Sequence, residues 1–516
     1  MKLTVTHSYL AFPVNTAKKL KKLLFSDGDK LVYDLDIRYD PIAPDFTAFV
    51  DLRRFIGREL TISIEPDLPL SFRESDDIDA DGLGQETFRP HYHFTTRSGW
   101  INDPNGLVRD AEGTYHLFYQ HNPAAPEWGN MHWGHATSTD LIHWTHRPVA
   151  LFPDEMGTMF SGSAILDRDG RAGSGKNALL LYYTAAGGHN RLSQGKPYTQ
   201  CLAYSTDNGK TFAKYAGNPV IPHVVGSNRD PKIVFCEEMG CYILALFLDG
   251  NTYGLFRTDD LIHFEKIQQI DLPDDNECPD FYPMTADDGT RHWILSGAHG
   301  KYLVGAIRDG QFVPEQAPKS QHTGSRGYAA QTFSDLPDGR RVFMAWDIMS
   351  DFPGGMPFAC QMGLPTDFSL KKTSGGYVIC PAPVKEAECL RRSPLQIRRD
   401  GDGSAGDVRG SAVELAVTMP SSGPAVRLSL LGQTLTFDRE RMELQHGKDN
   451  KIPLCDENGS IRVRLFFDVC SVEVYSWAYY ACFKIVADDN LTRLSLTGDP
   501  AAVLEGWDLD RADLLK

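Results

Sequence analysis

The feature that most constrains the fold is a recurring turn. Ser138-Thr139-Asp140-Leu141-Ile142-His143-Trp144 is echoed by Ser205-Thr206-Asp207-Asn208-Gly209-Lys210-Thr211-Phe212 and by Arg257-Thr258-Asp259-Asp260-Leu261-Ile262-His263-Phe264. Each echo follows a stretch rich in strand formers, such as Leu179-Leu180-Leu181-Tyr182-Tyr183-Thr184 or Tyr242-Ile243-Leu244-Ala245-Leu246-Phe247. A strand, an Asp/Ser turn and an aromatic anchor that return every ~50–70 residues suggest propeller blades. Taken alone, the echo also fits the turn chemistry of any all-β protein. With 46 Gly, 31 Pro and 11% aromatics, the chain suits a turn-rich β fold better than a helical one.

At 516 residues and 41% hydrophobic, the chain has room for several domains with sizeable cores. Residues 1–80 read as an N-terminal β-rich accessory domain and linker. Val32-Tyr33-Asp34-Leu35-Asp36-Ile37 and Leu60-Thr61-Ile62-Ser63-Ile64 alternate as half-buried strands do, and the acidic stretch 74–82 reads as an exposed loop. Residues 81–388 form the middle block. The charged, Gly-rich stretch 391–410 reads as a second linker within the last block, 389–516. There, Ala412–Val417, Val426–Leu430, Val463–Phe467 and Ser471–Tyr475 alternate at the spacing of a β-sandwich.

A formal net charge of −16 argues against nucleic-acid partners, which need a basic footprint. The one dense basic run, Lys18-Lys19-Leu20-Lys21-Lys22, reads as a solvated face. No window of ~18 apolar residues offers a membrane span. The N-terminus lacks the pattern of a secretory leader. None of the ten cysteines forms a C-x-x-C pair, so the expected location is cytoplasmic, or extracellular if a leader has been lost. The pairs His91/His93 and His132/His135 have metal-like spacing. They sit in aromatic strand segments, so the expectation is no metal and no organic cofactor. The sequence does not fix oligomeric state; a homo-oligomer is compatible with it.

Three acidic segments of the middle block carry the chemistry. In Trp100-Ile101-Asn102-Asp103-Pro104-Asn105-Gly106, Pro104 biases Asp103 away from helix and Asn105-Gly106 favours a tight turn, so Asp103 is expected at a strand end. In Asn228-Arg229-Asp230-Pro231-Lys232, the neighbouring guanidinium is expected to keep Asp230 ionised. In Asn276-Glu277-Cys278-Pro279-Asp280-Phe281-Tyr282, apolar neighbours are expected to desolvate Glu277 and favour its protonated form. Each segment alone is equally readable as an ordinary turn, ion pair or loop acid. Together they meet the need of retaining glycoside hydrolysis for two carboxyl groups ~5–5.5 Å apart, one ionised and one protonated.

In order along the chain, Trp100–Gly106, Phe118-Tyr119-Gln120-His121-Asn122-Pro123, Trp128-Gly129-Asn130-Met131-His132-Trp133-Gly134-His135-Ala136, Phe160-Ser161-Gly162-Ser163, Arg229–Lys232 and Glu277–Asp280 resemble the motifs of glycoside hydrolase family 32, the invertase, levanase and inulinase group. The resemblance implies a five-bladed β-propeller followed by a β-sandwich. It implies Asp103 as nucleophile, Glu277 as acid/base and Asp230 as transition-state stabiliser. Asn102, Gln120, Trp128, Phe160, Ser161 and Arg229 would line the fructose subsite. The implied activity is release of β-linked fructose from sucrose, fructo-oligosaccharides, inulin or levan. Fructosyl transfer through the same intermediate, an inactive fructan-binding protein, and action on arabinan or xylan are the alternatives.

The chain departs from the family pattern in two places. His322 and Arg326 stand in 322–331 where acidic residues are usual, and Thr366 follows Pro365 where an Arg is common. Both departures are expected to alter substrate fit beyond the first subsite. The N-terminal segment lies outside the family core, and packing on the propeller is its simplest role.

Overall fold

The computed structural model describes residues 1–79, 82–321, 326–352, 356–512 and 515. The central block is five sheets, antiparallel except where Phe358–Ala359 joins the first of them in parallel. Their first strands are Gly99–Arg109, Thr158–Asp167, Arg229–Cys236, Asp280–Thr285 and Gly327–Thr332. We number the sheets as blades I to V.

Hydrogen bonds run from each first strand to the next and close the ring. Asn105 accepts from the Gly162 N–H at 3.2 Å. Ser163 donates to the Pro231 carbonyl and accepts from the Ile233 N–H. Asp280 pairs with Lys232 at 3.0 Å and accepts from the Thr332 N–H at 2.6 Å. Ser334 exchanges backbone bonds with Leu107 and Arg109. The five first strands therefore surround one axis, as expected of a propeller.

The echoed turn is the corner after the third strand of blades I, II and III. Asp140 accepts the N–H groups of Ile142 and His143, Asp260 those of Ile262 and His263, and Asp207 those of Lys210 and Thr211. A short carboxylate that binds its own backbone a few residues on fixes such a corner, with a glycine at Gly209 in blade II alone of the three. Leu141 and Leu261 even share the same left-handed φ, 68° and 67°.

The last block packs a six-stranded sheet on a seven-stranded one. Residues 391–410 are not a linker. Arg391–Pro394 pairs with Val503–Leu509, and Arg398–Asp400 and Gly403–Asp407 form an edge hairpin of the sandwich. The charges that suggested a linker are satisfied locally, since Arg391 grips Glu414 with two bonds of 2.8 and 2.9 Å.

At the other end of the chain, a four-stranded and a three-stranded sheet enclose Phe12, Phe25, Tyr33 and Leu35. Ala124 and Phe152 of the propeller complete that core, so the N-terminal domain packs on blade I. The basic run meets acids within this domain: Lys22 pairs with Asp34 and Asp36, and Lys18 with Asp40. Part of the acidic stretch 74–82, Ala80 and Asp81, lies outside the described residues. Among the described residues no helix is long and apolar enough to cross a membrane.

Candidate active site

The chain's three singled-out acids meet in one cavity of about 380 Å³. Its lining also includes Asn102, Gln120, Trp128, Phe160, Ser161 and Arg229. All nine residues singled out in the sequence thus face one space at one end of the ring.

Bulges do the aiming. The expected turn at Asp103-Pro104-Asn105-Gly106 is instead continuous strand, Gly99–Arg109, whose pairing slips between Ile101 and Pro104 and again between Asn105 and Val108. Pairing also slips at Phe160/Gly162 in blade II, at Arg229/Lys232 in blade III and at Tyr328/Gln331 in blade V. An extra residue in one strand bends it and redirects a side chain, and here it turns first-strand side chains toward the axis. Gly162 permits this packing, because a Cβ there would collide with the backbone carbonyl of Tyr182. Asp230 and Glu277 take left-handed backbones, φ 64° and 53°. Such a conformation costs about 1–3 kcal/mol and persists only where the surroundings impose it.

Asp103 is half-buried. Ser161 donates to its Oδ2 at 2.5 Å and the Asn102 amide to its Oδ1 at 3.0 Å. Trp100 holds that Asn102 side chain by donating its indole N–H at 2.8 Å. Burial pushes the Asp103 carboxyl above the usual range, against the lowering effect of these two donors. Gln120 lies deeper and donates to the Met159 carbonyl at 2.8 Å.

Asp230 departs from expectation. Burial, together with the negative charges of Asp103 and Glu277, outweighs Arg229 and pushes its carboxyl up to about 7. The guanidinium is aimed elsewhere. Its Nη2 donates to Glu277 at 2.6 Å, whereas its Nε lies 3.7 Å from Asp230. Glu277 in turn is not enclosed by apolar groups. Its side chain is one-third exposed, and Tyr328 donates to its second oxygen at 3.1 Å. Cys278 sits between the other two acids, its Sγ 3.7 Å from Asp103 and 3.5 Å from Asp230. Burial keeps that thiol protonated.

The cavity also contains His189, Tyr198, Ser227, Tyr328 and Trp346, which sequence reasoning missed. Tyr198 and His189 share a 2.5 Å hydrogen bond and pack against Phe160, Tyr198 edge-on and His189 tilted. The Gly327-Tyr328 start of blade V was a usable signal. The loop carrying His189 offered none.

Two of the departures from the family pattern, Arg326 and Thr366, fall away from this cavity. His322 lies outside the described residues. Arg326 donates to the Ile348 carbonyl. Thr366 is fully buried and bonded to Leu364 and Tyr475 beneath the sandwich. Neither Arg326 nor Thr366 lines the cavity; the expected effect concerns substrate units beyond it.

The histidine pairs go to protein partners. His132 is held between the Asn130 carbonyl and the Tyr33 hydroxyl, His135 binds His116, and His93 reaches Asp468.

Five blades with a carboxylate cluster at one mouth define a glycoside-hydrolase type of site. The sequence profile of the Glycosyl hydrolases family 32 N-terminal domain matches residues 93–381, more than half of the chain, and the chain belongs to that family. It is 33% identical to a levanase of Bacillus subtilis (strain 168) over 76% of this chain and 65% of that one. It is 30% identical to a fructan beta-fructosidase of Streptococcus mutans over 81% of this chain and 32% of that one. The chain therefore spans less than two thirds of the length of these relatives. Its fold is similar to the crystal structure of an exo-inulinase from Aspergillus awamori, with a TM-score of 0.72 at 22% identity, covering 83% of this chain and 99% of that chain.

Proposed function

We propose that the protein is a retaining glycoside hydrolase that releases terminal β-linked fructose from sucrose, fructo-oligosaccharides or fructans. The observation that carries this reading is the convergence of Asp103, Asp230 and Glu277, from three different blades, on one small polar cavity with an aromatic wall. The relatives, a levanase and a fructan beta-fructosidase, point to the sugar.

Asp103 attacks the anomeric carbon of the fructosyl unit while Glu277 gives its proton to the departing glycosidic oxygen. The C–O bond to the leaving sugar breaks as the ester to Asp103 forms. Water then attacks the same carbon. Glu277 takes the proton from that water, the ester breaks, and fructose leaves with its configuration retained. The donors on Asp103 are Ser161 and Asn102, and they orient it for attack. Asp230 accepts from the Cys278 N–H at 3.1 Å, which fixes it as an acceptor for sugar hydroxyls. Three acids in one cavity share their protons as a unit. With Asp230 drawn up to about 7, the cluster retains a proton near neutral pH. The ten unpaired cysteines support a reducing compartment, and the cytoplasm is our working location.

The test is product analysis on sucrose, kestose, inulin and levan, with wild type and Glu277→Gln. Fructose from wild type, with about 10²–10⁴-fold less from the variant, is the expected result. Wild-type inactivity on all four sugars, alongside release of arabinose from arabinosides, would overturn the reading. Growth of oligosaccharides at high sucrose in place of free fructose would assign fructosyl transfer instead.

A further inference from the structure

The wall of the active site is held from outside the region that the family profile covers. Trp128 rides on the loop between Asn122 and His132. That loop is clamped by the N-terminal domain. Asn130 accepts from the Asp36 N–H at 2.8 Å and donates to the Asp36 carbonyl at 2.7 Å. Arg38 grips Glu127 with two bonds of 2.6 and 3.0 Å.

Behind Trp128 lies a second cavity, about 200 Å³, lined by Leu20 and Asp36 of the N-terminal domain and by Asn122, Trp128, Thr158 and His189 of the propeller. Trp128 and His189 also line the active-site cavity. The two spaces therefore share one wall, made of rings 6.0 Å apart at nearly a right angle.

Two features mark this space as built for a polar ligand with an apolar face. Thr158 lines the cavity, and its buried hydroxyl has no hydrogen-bond partner. A buried polar group left unpaired costs about 1–3 kcal/mol, and a ligand hydroxyl would remove that cost. Trp128 is 51% exposed, which is high for the largest apolar side chain in the loop. An exposed indole is a platform for the C–H face of a sugar ring. Across from it, the Asp36 carboxylate, paired on one side with Lys22 at 2.7 Å, can accept from sugar hydroxyls.

We infer that this cavity is a distal sugar subsite, shared by the N-terminal domain and blades I and II, for a fructan unit beyond the two that flank the scissile bond. The inference rests on the fructan-hydrolase reading above and deepens it. The N-terminal domain then selects for chain length, in addition to packing on blade I.

The experiment uses the full chain and compares kcat/KM on sucrose with kcat/KM on inulin-type and levan-type tetrasaccharides. The variants are Thr158→Val, which keeps the shape and removes the hydroxyl, and Asp36→Ala at a half-exposed position that tolerates truncation. The expected result is a fall of about 5- to 10-fold in the tetrasaccharide-to-sucrose ratio for at least one linkage, carried by KM. That corresponds to losing one good hydrogen bond. A ratio unchanged in both variants, or equal losses on sucrose and tetrasaccharide, would overturn the subsite. Wild type that cleaves none of these sugars would sink the fructan-hydrolase reading itself, and that outcome is visible before any variant is compared.

Discussion

Two regions of this molecule gather buried carboxylates and compensate them to different extents, although burial pushes the seam's Asp347 up to about 8. At the seam between propeller and sandwich, Asp468 accepts the backbone N–H groups of His91 and Val469 and the ring of His93 at 2.9 Å. Burial would raise its carboxyl, but His93 and these donors hold it below the usual range. Glu473 accepts from Leu364, Tyr475 and Tyr480. His93 is itself drawn up to about 10, because its bond to Asp468 and the Glu473 carboxylate 3.4 Å away outweigh the burial that opposes its charge. At the active site the three acids share one cavity and a single guanidinium. One guanidinium serves Glu277 first and Asp230 only at 3.7 Å, and two of the three acids sit on left-handed backbone. A compensated cluster fixes geometry, whereas an undercompensated one holds protons and strain in reserve for a substrate.

The sharpest way to break this contrast is to remove an acid from each cluster and read both activity and stability. Asp103→Ala should lower kcat by on the order of 10⁵-fold while leaving the thermal transition in place, since the acid stabilises little in the folded state. Concurrent unfolding would show that the active site is structural after all. Asp468→Ala should do the reverse. It strands the His93 charge among buried groups, a loss of about 3 kcal/mol or more. The kcat per folded molecule should stay within about twofold. Denaturant titration beside active-site titration separates the two effects, and an Asp468→Ala protein of native stability would remove the basis of the comparison.

Much of this was legible in the sequence because local chemistry wrote it there. The Asp140, Asp207 and Asp260 corners are set by carboxylates binding their own backbone, so the blade repeat was readable without any long-range information. Pro104 biases Asp103 away from helix, which put it at a strand end though not inside the strand it occupies. What stayed hidden depends on neighbours distant in the chain. The slips in pairing at blades I, II, III and V arise from how first strands pack around the axis, and Asp103-Pro104-Asn105-Gly106 reads locally as a turn. The state of Asp230 was misjudged because sequence adjacency to Arg229 says nothing about where the guanidinium points. Residues 391–410 looked like a linker because the partners that make them strands, such as Leu496 and Trp507, lie about a hundred residues away.

The smallest predicted effect separates the clusters by pH. Asp230 is raised in the folded protein to about 7 from an ordinary value of 3.8. The folded state therefore binds the extra proton between those values. The associated stability is present below pH ~4 and is lost as pH rises through about 7. At pH 8 the carboxylate is a net liability, so Asp230→Asn should melt higher than wild type by about 2–4 °C. At pH 4 the difference should vanish. The seam works in a later window. His93 is raised to about 10 from 6.5, so its contribution is full below pH ~6.5 and lost as pH rises through about 10. Burial beside Glu473 also raises Asp347, so its contribution too is lost toward alkaline pH. Thermal scans from pH 4 to 10 should therefore show a first descent that Asp230 shares with Asp347 and a later one from His93, and Asp230→Asn should shrink only the first. Loss of both steps in that variant would mean that the clusters titrate as one, and the contrast between an open and a compensated set of acids would not hold.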